Sequence, residues 1–535
     1  MQMQILFAQL QSSLIKFKWS TICFIFINNI MKRDGALESI WQHQLEDLLP
    51  KETNETTETY DVLIAGGGIT GLSTALLLQK AGKKCVIAEM HNIGFGTTAG
   101  TTAHLNNFFD TSYNTVEKDF GEENARLLAT AAKEAMDLIR KNIKDYNIEC
   151  DYEEKEACIF ATDEEQQKLL EDLVEGGKKQ DLKIDFINDS TYPIPCIKLA
   201  CIKEQAQFHP IKYIFGLAKA FEDAGGVIMD NCKVTDVKEG STITIETTKG
   251  DIKANQLIWA THIPTGVNLL HFRAAPYRSY VLGLILNDNN YPQDLGYDMA
   301  EPYRYYRTHT INGQSYLIAG GEDHKTAHEE NTDVPFQRLE SYVRQFYDVK
   351  EVAFKWSSQY FEPADGLAYI GNLPGNGENV WVATGFGGNG MTYGHVAAIT
   401  LSETLINGNS KYRELFDPNR IKPVAGFTNF VKESVDVVKE LVSGKFSGEK
   451  IKELNDLAVG EAKVVQYEGE KIAMYKDEQH NIHAVNPTCT HIHCTVSWNT
   501  AEKSWDCPCH GARYNCDGEV LTGPATKNLA VIDLS

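Results

Sequence analysis

Residues 60–90 read YDVLIAGGGITGLSTALLLQKAGKKCVIAEM. Val62, Leu63, Ile64 and Ala65 form an apolar run of strand length that stops at three glycines. Apolar side chains then recur at helical spacing, and a second short apolar run, 85–88, follows. The order strand, glycine turn, helix, strand is a βαβ unit. Gly66, Gly68 and Gly71 make G-x-G-x-x-G at its first junction, and Glu89 closes the second strand. The first glycine permits the tight turn, the second lets backbone approach a diphosphate, and the third lets the helix lie close on the strand. The helix N-terminus stabilises the diphosphate, and Glu89 is placed to accept from a ribose hydroxyl. The unit is therefore expected to bind a dinucleotide.

Around this unit the chain has 535 residues, 42% of them hydrophobic, and a net charge of −22 spread along its length. That is enough for two or three packed domains, and the acidic balance argues against nucleic acid as a partner. KETNETTET, 51–59, is a polar linker. A mixed section covers about 110–200, and a helix, strands and a hairpin lead to a buried strand at 257–260. Residues 270–355 are strand-rich with many aromatic and arginine side chains. A further strand, glycine turn and helix follow at 379–406. An amphipathic helix and a SGKFSGEK linker lie within 426–454, and short alternating strands from about 455 mark a small all-β domain. The expected division is 1–50 extension and helix, 55–425 main unit, 426–454 linker and 455–535 small domain. In the extension the apolar run from Trp19 to Ile27 is too short for the roughly 20 residues of a spanning helix, and no cleavage site follows it. Met31 is read as the start and the cytoplasm as the place, with membrane association the alternative if residues 1–30 are genuine.

Three more segments extend the dinucleotide reading: GFGTTAGTTAHL (94–105), IWATHIP (258–264), and EPADGLAYIG (362–371) with NVWVATGFGGNGMTYGHVAA (379–398). From about 58 to 420 the chain resembles the D-amino-acid-oxidase-like FAD-dependent oxidoreductases, which include glycine and sarcosine oxidases. The resemblance implies an α/β FAD-binding domain, Rossmann-like and of glutathione-reductase type, with an α+β substrate domain. It implies FAD held by Gly66, Gly68, Ile69, Thr70, Gly71 and Glu89 at the nucleotide end. Thr97, Thr98 and Thr102 would surround the ring, and Asp365, Gly385, Gly387, Gly388, Gly390, Met391 and Thr392 would face its pyrimidine and ribityl side. Gly385, Gly387 and Gly390 repeat the G-x-G-x-x-G spacing, but no second strand or acidic residue follows, so an NADH site is not expected. Sarcosine oxidases tether flavin through a cysteine; WSSQYFEPA, 356–364, holds none, and non-covalent FAD is implied. Arg278, Tyr280, Tyr306 and Arg307 stand where this family places its substrate pocket, and an arginine fork suits a carboxylate.

Near the C-terminus, 489–514 read CTHIHCTVSWNTAEKSWDCPCHGARY. Cys23, Cys85, Cys150, Cys158, Cys196, Cys201 and Cys232 are scattered singly and read as thiols, whereas five cysteines crowd between 489 and 516. Cys489-x-His491 and Cys507-x-x-His510 suit either tetrahedral zinc or a [2Fe–2S] cluster whose two irons take different ligands. With GEVLTGPATKNL (518–529) these loops closely resemble a Rieske domain over 455–535. The resemblance implies a [2Fe–2S] cluster with Cys489 and Cys507 on one iron and His491 and His510 on the other, both imidazoles near the surface for electron exit. It also implies a Cys494–Cys509 disulfide, as in Rieske proteins of cytochrome bc-type complexes. Those proteins place a serine and a tyrosine after the last ligand; here Ala512 and Tyr514 stand there, implying a potential below the bc-type range. Cys516 and His493 are read as structural and surface residues.

The resemblances together imply an FAD-dependent oxidoreductase acting on a small amine or amino acid, a dehydrogenase rather than an oxidase, with electrons leaving through the cluster to an acceptor protein or quinone. The alternatives are a flavin–cluster relay without a small substrate, or a membrane-associated quinone-linked reductase. His324 and His328 with Glu322 or Asp323 could imitate an iron site, but the segment reads as an acidic solvated turn. His104 and His395 read as structural.

Overall fold

The computed structural model describes residues 33–42, 59–420, 449–450 and 454–534. The expectations about residues 1–30, the linker at 51–58 and most of the helix and linker within 426–454 lie outside the described residues. Strand Thr59–Ala65 sits inside the first sheet, parallel to Cys85–Ala88 on one side and to Gly250–Trp259 on the other. Val227–Met229 extends the sheet beyond Cys85–Ala88, while Val380–Thr384 and Tyr369–Asn372 extend it beyond Gly250–Trp259. Strands covered on both faces need apolar side chains at every position, which is why VLIA and CVIA do not alternate. Helix Ile69–Lys80 crosses from the first strand to the second, and helix Gly390–Asn407 packs beside it.

A second sheet of nine strands carries the strand-rich section, and most of its pairs are antiparallel. Its long members, Ala274–Leu286, Gln314–Lys325 and Val349–Pro363, lie side by side and roof the flavin-type domain. The C-terminal region is all β. Ala462–Tyr467, Glu470–Lys476 and Ile482–Val485 form a meander, and Ser497–Asn499, Ser504–Asp506, Arg513–Tyr514 and Val520–Thr522 form a second small sheet. Among the described residues no helix is long and apolar enough to cross a membrane.

The small domain is fixed to the rest by buried charge. Arg33 pairs with Glu502 at 2.7 Å and with Asp34 at 2.9 Å, while Arg513 pairs with Asp34 at 2.8 Å and with Asp506 at 3.0 Å. Arg278, on strand Ala274–Leu286, reaches Asp506 at 3.5 Å and donates to Ser357 Oγ. Glu502 also accepts from the Ser357 backbone and hydroxyl, both at 2.8 Å. Three arginines thus balance three carboxylates away from water. Any one of them left alone would carry the full desolvation cost of a buried ion, so the network tolerates few arrangements of the two domains.

Candidate active site and metal centre

The glycine turn is built as its spacing demands. Gly66 has φ +108°, and a Cβ there would lie 2.6 Å from the Ala260 carbonyl oxygen; a Cβ on Gly71 would lie 2.0 Å from that of Gly66. Glu89 accepts from the backbone N–H groups of Gly67 (2.7 Å) and His91 (2.9 Å), and burial pushes its carboxyl up to about 7. Thr98 Oγ1 accepts from the N–H of Ile69. These residues open on a cavity of about 1080 Å³. Its wall takes in Gly66, Gly68, Ile69, Thr70 and Glu89, then Thr97, Thr98 and Thr102, and also Asp365, Gly387, Gly388, Gly390, Met391 and Thr392. Gly71 and Gly385 stand behind the wall: Gly71 brings helix against strand, and Gly385 turns the chain at φ +70° beside Tyr369. Asp365 is held by Arg420 through two contacts of 2.7 and 2.8 Å. A long cavity with glycine backbone at one end fits an extended dinucleotide.

The four substrate-pocket candidates are not on this wall. Along Ala274–Leu286 the residues that line the cavity are Ala275, Tyr277, Ser279 and Val281. Side chains alternate across a strand, so Arg278 and Tyr280 face the other way, into the buried ion network and against His324 Nε2 at 2.8 Å. The same parity puts Tyr305 on the cavity and packs Tyr306 against Phe160 and Tyr192. Arg307 lies deeper, donating to the carbonyls of Thr102, Ala103 and Phe208, and so braces the wall instead of meeting a ligand. Residues 322–325 are the end of strand Gln314–Lys325, not a solvated turn. Asp323 points into the cavity, Glu322 pairs with Arg304, and His324 and His328 hydrogen-bond backbone carbonyls. His104 bridges Thr102 and the Tyr306 carbonyl; His395 contacts Ser73 and Tyr213 within the core.

At the cysteine–histidine loops, Cys489 and Cys507 are buried, and the His491 and His510 rings stand 5.1 Å apart. Both ring nitrogens of His510 are buried without a hydrogen-bond partner, a state that costs free energy unless a ligand occupies them. His491 Nε2 donates to the Gly266 carbonyl at 2.9 Å, which leaves Nδ1 for another partner. Two thiols and two imidazoles with an orphaned nitrogen among them fit an iron–sulfur donor set. Cys494 and Cys509 form a disulfide, with Cα atoms 6.5 Å apart. Tyr514 Oη lies 3.2 Å from Cys489 Sγ, and Ala512 is buried beside the loop.

Of the two imidazoles, His491 is partly exposed and His510 is buried. His510 is 1% exposed, and His271 of the flavin-type domain is 4.7 Å from the His491 ring and 5.5 Å from the His510 ring. Phe272 meets His510 at 5.3 Å. Gly511, at φ +70°, lets the cluster loop come so close that a Cβ would fall 2.7 Å from Pro276, and its carbonyl accepts from Gln359. The expectation that both rings lie near the surface holds for His491, which is partly exposed, and fails for His510, because loop spacing says nothing about what docks on the loops. His271 itself was missed: nothing in its own segment distinguishes it from a structural histidine.

The sequence matches the family described as FAD dependent oxidoreductase, DAO, over residues 61–404, and a Rieske [2Fe-2S] domain over 449–533. The chain belongs to the DAO family of FAD-dependent oxidoreductases. This DAO-family chain binds FAD, and its C-terminal Rieske domain binds a [2Fe–2S] cluster. A Bacillus subtilis protein named as a putative Rieske 2Fe-2S iron-sulfur protein, YhfW, is 32% identical over 93% of this chain and 98% of its own. Gamma-glutamylputrescine oxidoreductase of Escherichia coli is 26% identical over 69% of this chain and 88% of its own. Among solved structures, glycine oxidase from Geobacillus kaustophilus has a TM-score of 0.57 at 17% identity, covering 68% of the DAO-family chain and all of its own, which shows the shared fold.

Proposed function

We propose that the chain oxidises a small amine or amino acid as a dehydrogenase and passes the electrons through its Rieske cluster to a separate acceptor protein or quinone. The observation that carries this is the shared wall. Thr261, His262, Ile263 and Thr265 line the FAD cavity, and the same loop continues through Gly266 to His271, which cover the two histidine ligands. From the other side, Leu521, Thr522, Gly523 and Ala525 of the Rieske domain line that cavity too. FAD when bound supplies two-electron oxidation and the cluster one-electron acceptance. One loop separates the two sites: the Pro264 carbonyl accepts from His271 Nε2 at 2.9 Å, and the Asn268 N–H donates to Nδ1, so the ring is fixed between the cavity wall and the cysteine–histidine loops. The names of the amine and amino-acid enzymes among the relatives support the substrate class. A cytoplasmic place belongs to this reading, supported by the unpaired, buried Cys85, Cys150 and Cys232.

An anaerobic titration with amines and amino acids, following flavin absorbance and the cluster's EPR signal together, tests this reading. Flavin bleaching accompanied by the reduced-cluster signal is expected. Bleaching that leaves the cluster oxidised sinks the relay.

A further inference from the structure

We propose that Asp110, Glu362 and Asp323 form a cation-recognition end of the substrate cavity, selecting an amine that carries a second positive charge and no carboxylate, a diamine or polyamine. This rests on the reading that the flavin oxidises an amine, and it narrows which one.

The three carboxylates come from separate elements and meet on one wall. Asp110 accepts from the Gly388 N–H at 2.9 Å and from Tyr303 Oη at 3.1 Å. A Cβ built on Gly387 would lie 3.0 Å from Asp110 Oδ2 and 3.1 Å from Glu362 Oε2, so these two oxygens are no more than about 6 Å apart. A side chain at 387 would crowd both oxygens, at a backbone φ of +53° that already favours glycine. Asp323 accepts from Ser279, which also contacts Tyr305 Oη, and from Tyr360 Oη at 2.9 Å. Glu362 accepts no hydrogen bond among the described residues, although it lines the cavity at its closest approach to Asp110. A half-buried carboxyl that lines the cavity without a protein partner is open to a donor from a ligand.

Among the described residues no lysine or arginine answers this group. The described lysine and arginine on the cavity wall are Lys233, beside Cys232 and Val234, and Arg273, whose Nη1 donates to the Pro418 and Arg420 carbonyls. Arg278, Arg304, Arg307 and Arg420 are committed elsewhere, so no arginine fork is offered to a substrate carboxylate. The groups acting on Glu362 all push in one direction: burial first, then Asp110, Asp323 and Glu301 raise its carboxyl to about 8. Asp323 is raised to about 7, chiefly by burial, with Asp110 and Glu301 adding to it and Ser279 and Tyr360 opposing. Without a ligand the group therefore holds protons near neutral pH, and an entering cation displaces them. Tyr303, Tyr305 and Tyr360 add ring faces that attract alkylammonium groups. A carboxylate in the same place finds no lysine or arginine of the cavity wall beside it and adds to the negative charge that already raises these carboxyls.

The experiment is titration calorimetry of the FAD-loaded, cluster-loaded protein at pH 7 in two buffers of different ionisation enthalpy, which counts protons released. The probes are 1,4-diaminobutane, spermidine, n-butylamine, glycine and proline. The diamine is expected to bind at least tenfold more tightly than n-butylamine, with proton release, and the two amino acids more weakly than either. Glu362→Gln and Asp323→Asn, each checked for retained flavin absorbance, should cut the diamine preference at least tenfold and reduce the proton count. Tighter binding of glycine or proline than of the diamine overturns the proposal, as does an undiminished preference in both variants. Diamine binding with proton release but no flavin bleaching under argon instead overturns amine oxidation and leaves cation recognition standing. Bleaching by amino acids and not by diamines does the reverse.

Discussion

Among the described residues Cys489 Sγ meets one hydroxyl, Tyr514 Oη at 3.2 Å, and the neighbouring loop position is Ala512, which has none to give. A hydrogen bond to a ligand sulfur draws off electron density and favours the reduced cluster, so it raises the midpoint potential. Tyr514→Phe is accordingly expected to lower the potential, and Ala512→Ser to raise it where the new hydroxyl finds a sulfur. An EPR-monitored redox titration measures both; a Tyr514→Phe midpoint equal to that of the parent shows that the hydroxyl does not act on the cluster. This residue-scale feature was legible through the resemblance to Rieske domains, in which a tyrosine stands at the place of Tyr514. The convergence of the carboxylates at 110, 323 and 362 was not, since they come from three distant segments: Asp323 drew notice only beside His324, and Glu362 only as the start of EPADGLAYIG.

At the scale of elements, the sequence revealed what repeats locally and concealed what depends on orientation. The strand–turn–helix at 59–80 announces itself because Gly66 and Gly71 each have a steric reason. In strand Ala274–Leu286 the same alphabet of Tyr, Arg and Ser runs along both faces, and a one-residue choice of parity exchanges Arg278 and Tyr280 for Tyr277 and Ser279 at the cavity. The face that lost the cavity gained the hairpin of strands Ser497–Asn499 and Ser504–Asp506, whose connecting turn carries Glu502. Burial works to raise the Glu502 carboxyl, but Arg33, Arg278 and Arg513 overcome it and hold it at about 2, below the ordinary 4.5. A carboxyl depressed on folding adds stability above its unfolded value, and that contribution is lost as pH falls from about 4.5 through about 2; the full amount is about 3 kcal/mol. Glu502→Ala leaves arginines buried without that partner and should cost about 3–5 kcal/mol at neutral pH. Urea denaturation at pH 7 and pH 3 checks both: the deficit of the variant should shrink at pH 3, and an equal deficit at both values contradicts the charge account.

For the whole molecule, cofactor retention and domain docking become one property. Leu521, Thr522, Gly523 and Ala525 belong to the Rieske domain yet form part of the wall of the cavity proposed for FAD, and the loop bearing Ile263 and Thr265 belongs to both surfaces. Thr265 lies within 3.7 Å of where a Cβ on Gly523 would stand, and the Gly266 N–H donates to the Pro524 carbonyl at 3.2 Å. Anything that loosens the ion network of Arg33, Asp34, Arg278, Glu502, Asp506 and Arg513 should therefore open the FAD cavity, although none of the six lines it. If undocking costs less in Glu502→Ala, the undocked state is more populated and FAD leaves from it, since a ligand that binds the docked state stabilises that state and is itself held by it. The variant is expected to lose FAD at least tenfold faster than the parent, followed by flavin fluorescence as cofactor is released into excess apoprotein scavenger at 25 °C, where circular dichroism shows both proteins folded. High salt should leave the parent's rate nearly unchanged, because the network is buried beyond the reach of screening ions. Equal release rates in variant and parent would mean that the Rieske wall contributes nothing to holding FAD, and that the two cofactors share a boundary without sharing a binding energy.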